Sequence, residues 1–210
     1  PIMLGADVVI HSLTKFINGS SDTVGGVYCA SQEFVDDTKN VNNGACMLLG
    51  PTMDSFRSAS ILKNLRTLHI RMKKHSENAM FLAERFENDG LKVKYPGLKS
   101  HKNHELMKSM MHEEYGFGGL LTVDVGSVEK ANELMELMQT ENLGYLAVSL
   151  GFYKTLFSCS GSSTSSEIPE DERKEMGLSD GLIRFSIGLD HDIERTYQKM
   201  RECMVKTGVL

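Results

Sequence analysis

Gly5-Ala6-Asp7-Val8-Val9-Ile10-His11-Ser12-Leu13-Thr14-Lys15-Phe16-Ile17-Asn18-Gly19 sets a short β-branched apolar run directly before a polar stretch that carries a lysine. The run Ala6 to Ile10 shows no apolar–polar alternation, the pattern of a strand covered on both faces in a parallel sheet. The stretch Asn18-Gly19-Ser20-Ser21-Asp22-Thr23 breaks any helix, and Gly25-Gly26-Val27-Tyr28-Cys29 reads as a second strand entered through glycines. Strand, polar loop and strand predict an α/β protein with a mostly parallel sheet at this end. Lys15 then falls at the carboxyl end of a strand, where α/β sheets bind ligands. A lysine with a pKa near 10.4 is neutral roughly once in 10³ at pH 7. Desolvation disfavours the ammonium and frees the amine to condense with an aldehyde. The plainer reading of Lys15 is a solvated loop lysine.

Downstream, Thr52 to about Asp89 is helix-permissive and places Leu62, Leu65, Leu68, Met72, Ala79, Leu82 and Phe86 at helical spacing. Gly90 stops it. So long a pattern predicts one connecting helix, or two with a bend, leading from a larger domain into a smaller one. The expected boundary separates residues 1–66 from 67–210. In the second part, Leu91 to Tyr95 is a strand candidate, and a polar loop with Pro96, Gly97, His101 and His104 follows. Leu121, Val123 and Val125 alternate as one face of a strand, and Ser127 caps a helix burying Ala131, Leu134, Met135 and Met138. Tyr145 to Leu150 is a further strand candidate, followed by a Ser/Thr-rich loop, Ser158 to Glu167. The last strand, Leu182 to Ile187, puts Ile183, Phe185 and Ile187 on one side and Arg184 with Ser186 on the other. Asp190 is expected to cap the final helix, whose apolar stripe is Ile193, Tyr197, Met200 and Met204.

The 210 residues, 40% hydrophobic and 24% charged, lie within the globular range. The 23 basic and 28 acidic residues leave a net charge of −5 with no basic block, which argues against nucleic acid or an anionic membrane as partner. No apolar run reaches the roughly 20 residues that cross a bilayer. The expectation is a soluble, cytoplasmic protein that handles small molecules or other proteins. Cys29, Cys46, Cys159 and Cys203 form no Cys-x-x-Cys pair and read as buried free thiols. The methionines read as core filling.

Several patterns bear on chemistry. Ser12-x-x-Lys15 with Lys206-Thr207-Gly208 has the chain order of penicillin-binding serine enzymes. However, the glycine-rich stretch after Lys15 forbids the required helix, and the Lys-Thr-Gly ends a helix rather than lying on a strand. Arg184, turned away from the apolar face of its strand, is suited to clamp a carboxylate through a bidentate fork; the competing reading pairs it with the acidic segment Glu170 to Glu175. His101-x-x-His104 has weak metal spacing without a nearby cysteine or carboxylate pair, so no metal is expected.

Taken together these segments resemble one family. Gly5 to Gly19, Ser21-Asp22, Gly25-Gly26, Gly50-Pro51-Thr52-Met53, Leu65 to Met72, Tyr95 to His101, His104-Glu105-Leu106, Gly116 to Gly119, Ala147 to Gly151 and Gly181 to Gly188 look like blocks of the cystathionine γ-synthase/γ-lyase family, pyridoxal-phosphate enzymes of methionine and cysteine metabolism. Tyr145 to Leu156 with Ser158 to Glu167 looks most like the branch that contains methionine γ-lyases. The resemblance implies an aspartate aminotransferase-like fold: the end of the cofactor-binding large domain and a complete smaller α/β domain. It implies that Lys15 condenses with pyridoxal 5'-phosphate, that Ser12 and Thr14 contact its phosphate, and that Ser149, Arg184 and Thr164 face the amino-acid substrate. Ser20 and Ser165 stand where the family often has histidine, and both changes bear on substrate choice.

The implied activity is γ-elimination on methionine or a related sulfur amino acid, releasing a thiol, 2-oxobutanoate and ammonia. The alternatives are cystathionine γ-lyase, γ-replacement on an activated homoserine, and a non-catalytic fragment. Family members are roughly twice this length. The chain is therefore expected to be a piece that needs a missing N-terminal half, and to work as a homo-oligomer, a tetramer by resemblance.

Overall fold

In the computed structural model, residues 1–159, 168, 169, 172 and 179–210 are described. They divide into two units, Pro1–Leu68 and His69–Leu210. In the first, β1 (Val9–Ser12) and β2 (Gly26–Cys29) pair antiparallel, with Val9 opposite Cys29 and Ser12 opposite Gly26. A π-helical turn, Leu13–Ile17, follows β1 at once. Three helices complete the unit: α1 (Gln32–Thr38), α2 (Ala45–Leu49) and α3 (Ser55–Leu65). The Ser31 hydroxyl accepts from the Phe34 N–H at the start of α1, and an Asp54 carboxylate oxygen accepts from Phe56 and Arg57 at the start of α3.

This unit corrects the first expectation. The strand begins later than Ala6, and it is not covered on both faces: its one partner among the described residues is antiparallel β2, and Ile10 is 78% exposed. An apolar run predicts burial, but burial on both faces needs neighbouring layers, and among the described residues this end of the chain supplies only the antiparallel pair β1-β2. Met3, Leu49 and Phe56 are likewise open, at 95%, 80% and 88% exposure.

The second unit is built on α4 (Leu68–Asn88), so the long helical pattern resolves into α3 and α4, broken at Arg66-Thr67. Thr67 turns its hydroxyl back onto the Asn64 carbonyl at this break. After Gly90, which takes a left-handed φ of 88°, come β3 (Lys92–Lys94), α5 (His104–Met110), β4 (Leu120–Asp124), α6 (Val128–Thr140), β5 (Tyr145–Leu146), β6 (Leu156–Cys159), β7 (Leu182–Ser186) and α7 (Ile193–Lys206). The strands form one sheet in the order β3-β4-β7-β6-β5, antiparallel except for β5 with β6.

Alternation decides which face is apolar. Leu121, Val123, Phe157, Ile183, Phe185 and Ile187 join Ala79, Leu82 and Phe86 of α4, Leu134 and Met138 of α6, and Tyr197, Met200 and Met204 of α7 in one buried cluster. Each fully buried large side chain contributes about 1.5–3 kcal/mol, and Phe185 meets both Phe86 and Phe157 at ring separations of 6.4 and 6.1 Å. The opposite face carries Thr122, Arg184, Ser186 and Ser158.

Four local expectations are corrected. Asp190 does not cap the last helix; Asp192 does, accepting from Arg195, while Asp190 accepts from the Asp192 N–H in the turn before it. The strand expected over Tyr145 to Leu150 pairs only at Tyr145–Leu146. Ser158 and Cys159, expected to open the Ser/Thr-rich loop Ser158 to Glu167, belong instead to an inner strand, Leu156–Cys159, and the rest of that expected loop lies outside the described residues. Finally, Cys159 and Cys203 are buried, but Cys29 is exposed and Cys46 half-buried. No helix among the described residues is long and apolar enough to cross a membrane.

Candidate functional site

Lys15 sits in the π-helical turn that leaves β1, half-buried, with non-helical backbone angles inside that turn (φ −87°, ψ −128°). Cross-ties to Gly25 and at Asn18 hold this turn. The Leu13 N–H donates to the Gly25 carbonyl at 2.9 Å. The Thr14 hydroxyl accepts from the Gly25 N–H at 2.9 Å and donates to the Gly25 carbonyl at 3.3 Å. Behind the lysine, buried Asn18 donates to Asp22 at 2.7 Å and accepts from Asn64 of α3 at 2.8 Å. A Cβ at Gly25 would lie 2.3 Å from the Met53 methyl, the flexible end of a side chain that would have to turn aside. Ser12 is exposed at the end of β1 and its side chain caps nothing.

Ser12, Thr14 and Lys15 thus lie together at the end of one strand. Thr14 is already used structurally, and it reaches a phosphate only by giving up its long 3.3 Å bond to Gly25. Asn64, absent from the sequence reading, secures the turn through Asn18 and stands 3.4 Å from the Ser20 hydroxyl; nothing in the local pattern of α3 marks it.

In the second unit, Arg184 projects from β7 on the face away from the core. Its guanidinium is half-buried, and burial lowers its pKa from the ordinary value, though an arginine remains a cation. Its Nη2 donates to the Ser149 carbonyl at 3.1 Å, and the Gly151 N–H donates to the Ser186 hydroxyl at 2.9 Å on the same face. These two bonds lay the segment after β5 along β7, so the structure does bring Ser149 and Arg184 together, through the serine carbonyl. No salt bridge to Arg184 is formed among the described residues. A hollow of about 330 Å³ opens beside it, lined by Lys94, Leu120, Leu121, Thr122, Leu182 and Arg184. A half-buried cation without a carboxylate partner beside an open hollow is suited to an anionic ligand.

Thr164 and almost all of the segment Glu170 to Glu175 lie outside the described residues. The two spaced histidines are engaged locally: His104 Nδ1 donates to the Pro96 carbonyl and its ring stacks on Phe117, while His101 Nδ1 accepts from the Asn103 N–H. Among the described residues no group of three potential metal ligands exists. Lys206-Thr207-Gly208 ends α7, with the Thr207 hydroxyl bonded back to the Cys203 carbonyl.

Comparison with known proteins extends these observations. Residues 1–197 match the family described as Cys/Met metabolism PLP-dependent enzyme. The chain is 42% identical over 207 residues to methionine gamma-lyase of Arabidopsis thaliana, covering 98% of this chain and 47% of that protein. It is 37% identical over 193 residues to cystathionine gamma-lyase of Bacillus subtilis, covering 90% of this chain and 48% of that protein. Among solved structures, cystathionine gamma synthase from Xanthomonas oryzae pv. oryzae, in complex with aminoacrylate and cysteine, superposes with a TM-score of 0.85 at 31% identity, over 100% of this chain and 53% of that one. The chain therefore spans about half the length of the curated relatives it matches.

Proposed function

The chain belongs to the Cys/Met metabolism PLP-dependent enzymes, and from that premise we propose that it supplies the carboxyl-terminal half of a carbon–sulfur lyase that eliminates the γ-thiol of methionine or a related sulfur amino acid. With methionine and water the products are methanethiol, 2-oxobutanoate and ammonia. The observation that carries this reading is Lys15: a half-buried lysine on a turn tied at Thr14 and Asn18, in a chain that matches the family from its first residue.

The residues present fit pyridoxal 5'-phosphate. A hydroxyl at Ser12, a second at Thr14 and the amine of Lys15 lie at one strand end, the donor set that a phosphate and an aldehyde call for. When bound, the cofactor supplies the aldehyde and the ring that withdraws electrons from the substrate α-carbon. The chain's own residues do the rest. Ser12 and Thr14 hold the phosphate, Thr14 exchanging its weak bond to the Gly25 carbonyl. Arg184 takes the substrate carboxylate through guanidinium hydrogens left beyond its bond to Ser149, with Ser149 and Thr164 completing the contact. The Lys15 amine would hold the cofactor aldehyde and, when free, would take the protons that leave substrate Cα and Cβ.

The remainder of the enzyme lies outside these residues. Relatives about twice as long, and the apolar side chains of Met3, Ile10, Leu49 and Phe56 left open in the first unit, support an amino-terminal half that covers this surface and completes the site. A homo-oligomer, a tetramer by family resemblance, and a cytoplasmic location belong to the same proposal.

Borohydride reduction of the chain assembled with its amino-terminal half, followed by peptide mass mapping, is expected to find a pyridoxyl group on Lys15, and the unreduced assembly is expected to release thiol from methionine. An unmodified Lys15 in the assembled protein would overturn the reading. The likeness to cystathionine gamma synthase favours a second reading, γ-replacement. Product formation from an acyl-homoserine plus a thiol, without thiol release from methionine, would establish it instead.

A further inference from the structure

Arg184 does not stand alone in its row. Across the sheet, Thr122 of β4 is its direct partner on one side and Ser158 of β6 its direct partner on the other. Directly opposed residues in an antiparallel pair keep their Cβ atoms about 4.5–5.5 Å apart, so both hydroxyls lie within reach of the arginine side chain. Three polar atoms in this row, Thr122 Oγ1, Ser158 Oγ and Arg184 Nε, are sealed from solvent and have no hydrogen-bond partner among the described residues. Buried polar groups are almost always paired, and three orphans side by side are complementary. Nε–H can only donate, whereas a hydroxyl oxygen can accept and its proton can turn elsewhere. Because Nε is closed to solvent, a ligand entering from the hollow meets the Nη side of the guanidinium.

We propose that Thr122 and Ser158 are positioning residues for Arg184: a small rotation lets their hydroxyls accept from Nε–H, and this fixes the plane of the guanidinium so that its Nη side faces the substrate carboxylate. The Ser149 carbonyl holds Nη2, and a second hold at Nε stops rotation about the Cδ–Nε bond. The carboxylate then meets a fork whose orientation is set before binding, which is where preorganisation contributes affinity. This rests on the reading of Arg184 as the carboxylate clamp.

In the chain assembled with its amino-terminal half, Thr122→Val and Ser158→Ala are each expected to raise KM for methionine roughly five- to tenfold with kcat within about twofold. Thr122→Ser and Ser158→Thr are expected to restore KM. Inhibition by 3-(methylthio)propylamine, which lacks the carboxylate, should be unchanged by any of the four. A second readout needs no turnover: in the 210-residue chain, hydrogen exchange at the Arg184 Nε–H, followed by NMR, should accelerate at least tenfold in the Val/Ala double variant and not in the Ser/Thr one. Unchanged KM with unchanged Nε exchange, or equal losses with the carboxylate-free amine, would overturn the proposal. Arg184→Lys separates this from its premise. If that variant raises KM while the Thr122 and Ser158 variants are silent, only the positioning role falls. If it leaves KM unchanged, the clamp falls with it.

Discussion

Asn78 offers a test of how the second unit holds the strand of Arg184. It lies on α4, 1% exposed, and its Nδ2 donates to the Gly188 carbonyl at 3.0 Å and to the Asp190 carbonyl at 2.9 Å. One turn earlier His75 Nδ1 donates to the Ile187 carbonyl at 2.6 Å, so α4 grips the chain where it leaves β7. Asn78→Ala deprives two carbonyls of their donor. At about 1 kcal/mol net for each bond, rising toward 1–3 kcal/mol for an acceptor left buried, the cost is about 2–4 kcal/mol, a large share of a total stability near 5–15 kcal/mol. Asn78→Asp keeps the shape but sets a buried carboxylate against two carbonyl oxygens. Burial and repulsion raise that carboxyl above its ordinary value of about 3.9. The folded variant then binds its proton more tightly than the unfolded chain, and its stability falls as pH rises. Asn78→Asp should therefore be less stable than Asn78→Ala at pH 7.5, with the gap narrowing toward pH 5.5. Both variants are compared in a His75→Gln background, so that the difference between them reports the introduced carboxyl alone. Urea unfolding followed by circular dichroism at both pH values measures it. A loss below about 0.5 kcal/mol in Asn78→Ala, or a gap that widens toward acid, would refute the argument.

Two further outcomes follow from buried groups. Burial pushes the His75 imidazole below its ordinary 6.5, so the unfolded chain takes up the proton first. The neutral ring's contribution is complete above about pH 6.5 and is lost as pH falls through the window between that value and the lower folded one, with a slope of at most about 1.4 kcal/mol per pH unit; His75→Gln should flatten this part of the stability profile, and an identical profile would count against it. Gly188→Ala should lower the melting temperature sharply or prevent folding, because a Cβ there would lie 2.6 Å from the backbone of Tyr153, Lys154 and Thr155, whereas Gly26→Ala meets only the His11 carbonyl at 3.8 Å and should melt near wild type.

The elements that could be read in advance are those whose burial is decided inside the second unit. Leu121, Val123, Ile183, Phe185 and the stripe of α7 point to one cluster, and their periodicity states it. Those that could not are of two kinds. Leu156–Cys159 is buried on both faces, with Leu156 and Ser158 covered as well as Phe157 and Cys159, so a serine inside the strand hides a period that never existed there. Val8, Val9 and Ile10 show the converse. Their pattern predicts a strand covered on both faces, yet among the described residues it has one antiparallel partner and Ile10 stands open.

For the site, the difference lies between what a strand says about itself and what only strand pairing can say. Alternation within Leu182–Ser186 sends Arg184 away from the core, and that much is local. Its neighbours Thr122 and Ser158 stand 62 and 26 positions away along the chain, and they become neighbours through the registers of β4 and β6 on β7. Shifting either strand by one residue would turn its hydroxyl to the apolar face, so the same register that buries Val123 and Phe157 delivers two hydroxyls to one arginine. The apolar core therefore specifies the polar row: any substitution that slips β6 by one residue against β7 should remove Ser158 from the guanidinium and Phe157 from the core together.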